Sequence, residues 1–125
     1  MGKYAIKTTK TGFVFNLKAK NGEIVATSQV YKSLKTAKIG IASVTKNAPI
    51  AAIEDQTVEG FEKAKNPKFE IYTDKSGEFR FRLKARNGQI IASSEGYKKM
   101  PGCKNGIESV RKNAVDSPTV MEEAK

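Results

Sequence analysis

Arg80, Arg82, Lys84 and Arg86 occupy alternate positions of a segment whose other members, Phe79, Phe81, Leu83 and Ala85, are apolar. Side chains of an extended strand alternate between its two faces, so an inward apolar row places the four cations together on the outward one. Cations spaced about 6.6 to 6.8 Å apart can follow successive phosphates of a nucleic acid or another polyanion. A second group, Lys32, Lys35 and Lys38, has a counterpart in Lys98, Lys99 and Lys104, each set falling where a helix is expected to begin. Ammonium groups beside the free N–H groups of a first helical turn can hold a phosphate. The competing reading of both groups is a solvated basic surface whose charges discourage edge-to-edge association.

Tyr31 and Tyr97 can stack on nucleic-acid bases or fill the corner between a strand and a helix. Cys103 falls on an apolar helical stripe and reads as a small core residue, not as a reactive thiol. The carboxylates offer less: Asp74 and Glu78 flank a turn, and Glu54, Asp55, Glu59 and Glu62 lack a metal-loop spacing. The chain contains no histidine and one cysteine, which removes histidine triads and leaves zinc or iron–sulfur sites without ligands. There is no P-loop, dinucleotide fingerprint or nucleophile elbow. The expectation is a protein that is not an enzyme and carries no cofactor and no metal.

The formal net charge is +10, which favours anionic partners. Residues 1–48 hold nine lysines against Glu23 alone, and residues 68–115 hold eleven Lys/Arg against five acids, whereas residues 49–67 and 116–125 are each net −2. The positive charge therefore belongs to two separate stretches. No signal-like apolar run opens the chain, and nowhere are about 18 consecutive residues apolar. That predicts a cytoplasmic protein with no membrane partner, and a single cysteine fits a reducing compartment.

The two basic stretches are copies of each other. Phe13–Ala48 aligns without a gap on Phe79–Ala114 at a shift of 66, with 20 of 36 positions identical. Upstream the shift is 65, because Glu78 is an extra residue in a turn, where a length change leaves strand faces intact. Within each copy, Tyr4/Ile6 (Phe69/Ile71) and Phe13/Phe15/Leu17/Ala19 (Phe79/Phe81/Leu83/Ala85) read as two half-buried strands. Asn21-Gly22 and Asn87-Gly88 predict type I′ hairpins, followed by a third strand through Ile24, Ala26 and Ser28 (Ile90, Ala92 and Ser94). Leu34, Ala37, Ile41, Val44 and Ala48 (Met100, Cys103, Ile107, Val110 and Ala114) then repeat at helical spacing. Ser33 suits an N-cap, Pro101 a first helical turn, and Asn47 and Asn113 a helix exit. Gly40 and Gly106, mid-helix, imply close packing. Ile50–Ile53 and Thr119–Met121 suit a short fourth strand. A unit of about 45 residues is near the size below which a core seldom suffices alone, so the two are expected to share one.

The motif FxFxLKAxNGxIxAxSxxYK followed by KxGIxSVxKNA, present twice, resembles the YegP-like family of small bacterial proteins, whose domain has no assigned function. The resemblance implies an α+β fold of tandem β-β-β-α(-β) repeats. These form one antiparallel sheet with two helices packed on it and C-terminal strands exchanged between repeats. The expected organisation is a single domain over residues 1–125, with repeat one at 1–55, a connector at 56–67 and repeat two at 68–122. A monomer is expected, since the tandem repeats complete the fold. The second copy matches better; the first has Val30, Thr36 and Ile39 where Gly96, Gly102 and Asn105 stand. The function expected from the residues is a binding module for nucleic acid or another polyanion. The alternative is a structural or protein-interaction domain whose charge serves solubility.

Overall fold

The computed structural model describes residues 2–122. Each copy supplies three strands, a helix and a final strand. They are β1 (Lys3–Thr8), β2 (Phe13–Lys18), β3 (Ile24–Thr27), α1 (Leu34–Asn47) and β4 (Ala52–Asp55), then β5 (Lys68–Thr73), β6 (Phe79–Lys84), β7 (Ile90–Ser93), α2 (Met100–Asp116) and β8 (Thr119–Glu122). All eight strands join one sheet in the order β4-β5-β6-β7-β3-β2-β1-β8. The final strands are exchanged: β4 leaves repeat one to pair with β5, and β8 returns to pair with β1. Both exchanged pairs run parallel, while every inner pair is antiparallel. The sheet is therefore mixed at its edges, a correction to the expected antiparallel one. A helix that carries the chain back across the sheet delivers the next strand in the direction of the neighbouring repeat's first strand, which is a parallel pairing.

Both helices lie on one face. α1 packs on β2 and β7, α2 on β6, β2 and β3, and the helices touch each other. Tyr4, Ile6, Phe15 and Leu17 thereby share one apolar cluster with Phe69, Ile71, Phe81 and Leu83, closed by Ile41, Val44, Ile107 and Val110. Burying such side chains contributes about 1.5–3 kcal/mol each, and both repeats supply them to the one cluster.

Local chemistry departs from expectation at three places. The Asn-Gly hairpins are not type I′, because no residue other than glycine has a positive φ among the described residues. Instead, Gly22 N–H bonds Ala19 O, Ala19 N–H bonds Glu23 O, and Gly22 alone takes φ 87°. This is a type I turn closed by a glycine bulge, and Gly88 (φ 87°) repeats it. Second, the register slips between Leu17 and Lys18 and between Leu83 and Lys84. Those bulges turn Val25 and Ile91 inward and leave Ile24 and Ile90 exposed. Third, Asn47 and Asn113 do not terminate their helices by a left-handed turn. Each amide donates back to the carbonyl and hydroxyl of Ser43 or Ser109 at 2.8 and 3.1 Å. After Asn47 a single 3-10 turn, Ala48–Ile50, intervenes, so β4 starts at Ala52 and not at Ile50.

Ser33 caps α1 through a reciprocal pair with Thr36, and Pro101 lies in the first turn of α2. The extra residue Glu78 is accommodated by Gly96, since a Cβ there would stand 3.1 Å from the Cβ of Glu78. In the first copy Gly12 and Val30 occupy the corresponding positions, and a Cβ on Gly12 would meet the Tyr31 backbone carbonyl first and stand 3.3 Å from Val30 Cγ1.

Candidate anion-binding surface

Strand alternation places Arg80, Arg82 and Lys84 on the sheet face opposite the helices, and β5 supplies their neighbours. The register sets Tyr72, Glu70 and Lys68 directly across from them. Glu70 accepts from Arg82 Nε at 2.6 Å and lies 3.3 Å from Lys84 Nζ and 3.2 Å from Lys68 Nζ. Lys68 Nζ also reaches Glu54 Oε1 at 2.8 Å. Arg80 Nε holds Asp74 at 2.7 Å, and the Arg82 guanidinium lies 4.6 Å from the Tyr72 ring centre. Three members of the outward row thus already hold carboxylates. Arg86 does not continue the row, because β6 ends at Lys84 and Arg86 sits in the turn beyond, bordering a cleft against α1.

Glu54 anchors this network from the exchanged strand. Its side chain is 1% exposed. Burial opposes its charge, but the Lys68 ammonium, the Gln56 amide and the Ala64 N–H outweigh that and hold its pKa down to about 2. Burial likewise opposes charge on Glu70, and Arg82 with Lys68 overcomes it, lowering its pKa. Hydrogen bonds from Ser76 and Arg80 hold Asp74 well below the usual range. A carboxylate depressed in the folded state contributes stability that is complete above its unfolded value and is lost as pH falls through the folded one. Thermal melts should therefore be flat from neutral pH down to the ordinary glutamate value of 4.5 and fall steadily from there towards pH 2. A melting temperature that stays level down to pH 3 would show the network to be energetically silent.

The lysine groups lie at two sites. Because β3 and β7 run antiparallel at the centre of the sheet, the segments leaving them towards α1 and α2 depart at opposite ends. Lys32, Lys35 and Lys38 therefore cluster at one end, and Lys98, Lys99 and Lys104 at the other. All six are exposed, and none has a carboxylate partner among the described residues. The same pairing brings the β2–β3 hairpin of repeat one to the end where α2 begins, and Glu23 of that hairpin is close enough to act electrostatically on Tyr97.

Tyr31 and Tyr97 stack on Phe15 and Phe81, with ring centres 6.0 and 6.3 Å apart and planes within 10° and 13°. Burial raises both pKa values. Cys103 is buried, and burial pushes its thiol up to about 11. Among the described residues no group of three or more metal-ligating side chains converges, and no helix is long and apolar enough to cross a membrane.

A pair of clefts brings Arg86 and the hairpin asparagines together with helix residues of the other repeat. In one, of about 970 Å³, Lys20 and Asn21 of the first hairpin face Ser109, Lys112 and Asn113 of α2. In the other, of about 380 Å³, Arg86 and Asn87 face Ser43, Lys46 and Asn47 of α1. These are the same positions shifted by 66 residues, each cleft combining a hairpin of one repeat with the helix of the other. The signal available beforehand was the identity of Ser43-x-x-Lys46-Asn47 with Ser109-x-x-Lys112-Asn113. What the sequence did not reveal was which hairpin each motif would meet.

Fold and surface together define a tandem-repeat α+β module with a composite basic region at each end of its sheet. The chain belongs to the family described as Domain of unknown function (DUF1508), which matches residues 9–55 and 74–120. It is similar to the UPF0339 protein YegP of Yersinia pestis, 43% identical over 118 residues, covering 94% of this chain and 92% of that one. It is also similar to the UPF0339 protein in the ptx operon 5′ region of Stutzerimonas stutzeri, 73% identical over 48 residues, which span 38% of this chain and 43% of that protein. Among solved structures, E. coli yegP, described as a protein of unknown function, superposes with a TM-score of 0.80 at 33% identity, covering 99% of this chain and 95% of that one.

Proposed function

We propose that this chain is a non-enzymatic binding module whose exposed cations engage a polyanion, with nucleic acid as the partner to test first. The supporting observation is the charge left over after internal pairing. Arg80, Arg82 and Lys84 are held by Asp74 and Glu70. The six lysines at the helix starts, with Lys20, Lys46, Arg86 and Lys112, are exposed and hold no carboxylate among the described residues. Unpaired surface cations are what phosphate binding requires, and releasing counterions from a polyanion makes such binding fall linearly in log K with log salt.

Fluorescence anisotropy with single-stranded DNA, duplex DNA and duplex RNA across a salt series tests this. Binding should weaken with salt, and Lys98→Ala/Lys99→Ala/Lys104→Ala should flatten the slope by about 0.7–0.9 for each phosphate that is no longer neutralised. No binding to any of the three at low salt would overturn the proposal.

A further inference from the structure

We infer that the two clefts between a hairpin of one repeat and the helix of the other are duplicated phosphate-binding sites. This deepens the polyanion reading and rests on it.

Recurrence is the first support. Sixteen of the 36 aligned positions have diverged between copies, yet in both clefts a hairpin cation (Lys20 or Arg86) faces a helix lysine (Lys112 or Lys46). These cations are exposed and unpaired among the described residues, so the fold itself does not demand them. Asn21 and Asn87 have a structural task, because each side-chain oxygen accepts the N–H two residues on. That task occupies the oxygen and leaves the amide hydrogens free to donate.

The serine–asparagine pair is the second support. In both copies the asparagine amide donates to the serine hydroxyl oxygen at 3.1 Å and to the same serine's carbonyl at 2.8 Å. A hydroxyl oxygen that accepts this way keeps its own hydrogen for another acceptor, and none is engaged by Ser43 or Ser109 among the described residues. Each cleft therefore presents two cations, a hydroxyl hydrogen and an amide, all donors. The carboxylate bordering the larger cleft, Glu108, is bound at 2.8 Å by Arg111 Nη1, and Ala42 takes its place in the smaller one. A tetrahedral oxyanion with several acceptor oxygens matches such a donor set. It can come from a free phosphorylated small molecule or from the phosphodiester of a nucleic acid.

The test is an amide-resolved NMR titration at low salt with inorganic phosphate, a nucleoside 5′-monophosphate and a single-stranded oligonucleotide. Signals of Asn21, Ser109 and Asn113, and of Asn87, Ser43 and Asn47, should shift in two sets. Lys20→Gln/Lys112→Gln should abolish the first set and spare the second, Arg86→Gln/Lys46→Gln should do the reverse, and each should weaken its own site at least tenfold. Shifts with phosphate and the nucleotide would identify a small phosphorylated ligand, and shifts with the oligonucleotide alone a phosphodiester. If the chain binds the oligonucleotide but neither double variant changes affinity or shifts, the cleft assignment is wrong while the polyanion reading stands. Absence of shifts with every probe overturns the cleft assignment, and the polyanion reading falls with it only when the anisotropy titrations also find no binding.

Discussion

Replacing Lys68 with methionine should destabilise the fold by about 3–5 kcal/mol. Lys68 Nζ lies 2.8 Å from Glu54 and 3.2 Å from Glu70, whose side chains are 1% and 4% exposed. Removing the shared cation leaves two buried carboxylates facing each other across the β4–β5 pair, where Glu54 and Glu70 are in register. The same sheet position in repeat one shows that charge is not required there. β8 sets Val120 against Ala5, with Asn16 beyond. Glu54→Val/Glu70→Ala/Arg82→Asn/Lys68→Met, which removes the buried charges together, should lose less stability than Lys68→Met alone. Urea denaturation monitored by circular dichroism measures both, and a Lys68→Met loss below about 1 kcal/mol, the ceiling for an exposed pair, would show the cluster to be solvated.

Gly40→Ala and Gly106→Ala should each cost about 1–3 kcal/mol, although alanine gains about 1 kcal/mol over glycine inside an exposed helix. A Cβ on Gly40 would stand 2.7 Å from Tyr31 Cζ and 3.1 Å from Phe15 Cε2, with Tyr31 Oη nearer still. At Gly106 the distances to Tyr97 Cζ and Phe81 Cε2 would be 2.9 and 3.0 Å. These rings are stacked in pairs against the sheet, so they cannot swing away as the end of a lysine would. In a Tyr31→Ala background the tightest obstacle is gone and only Phe15 Cε2 at 3.1 Å remains, so Gly40→Ala should cost less than in the native chain. A double-mutant cycle reads this difference, and a stabilising Gly40→Ala in the otherwise native chain would refute the packing.

The residues behind these two effects were unequally visible in the sequence. The glycines were visible, because a glycine on the core side of an amphipathic helix twice over has few explanations other than close approach. The arginine row was visible as a row but not as a network. Its counter-charges, Glu54 and Glu70, lie 28 and 12 residues before Arg82, and only strand exchange and register place them beside it. The clefts were hidden for the same reason, each motif being legible within its own repeat while its partner hairpin belongs to the other.

Sequence alone determined the repeat, the order of strands and helix within each unit, the inward aromatic rows and the shared core, since these follow from period, side-chain volume and chain length. Family membership was also legible, because the repeated motifs are long. Tertiary structure decided the parallel edges, the glycine-bulge turns, the pairing of Arg80, Arg82 and Lys84 with acids, and the meeting of hairpin and helix across repeats. Each depends on the direction and register with which distant segments meet, and side-chain alternation fixes which face a residue occupies but not which neighbour it finds there.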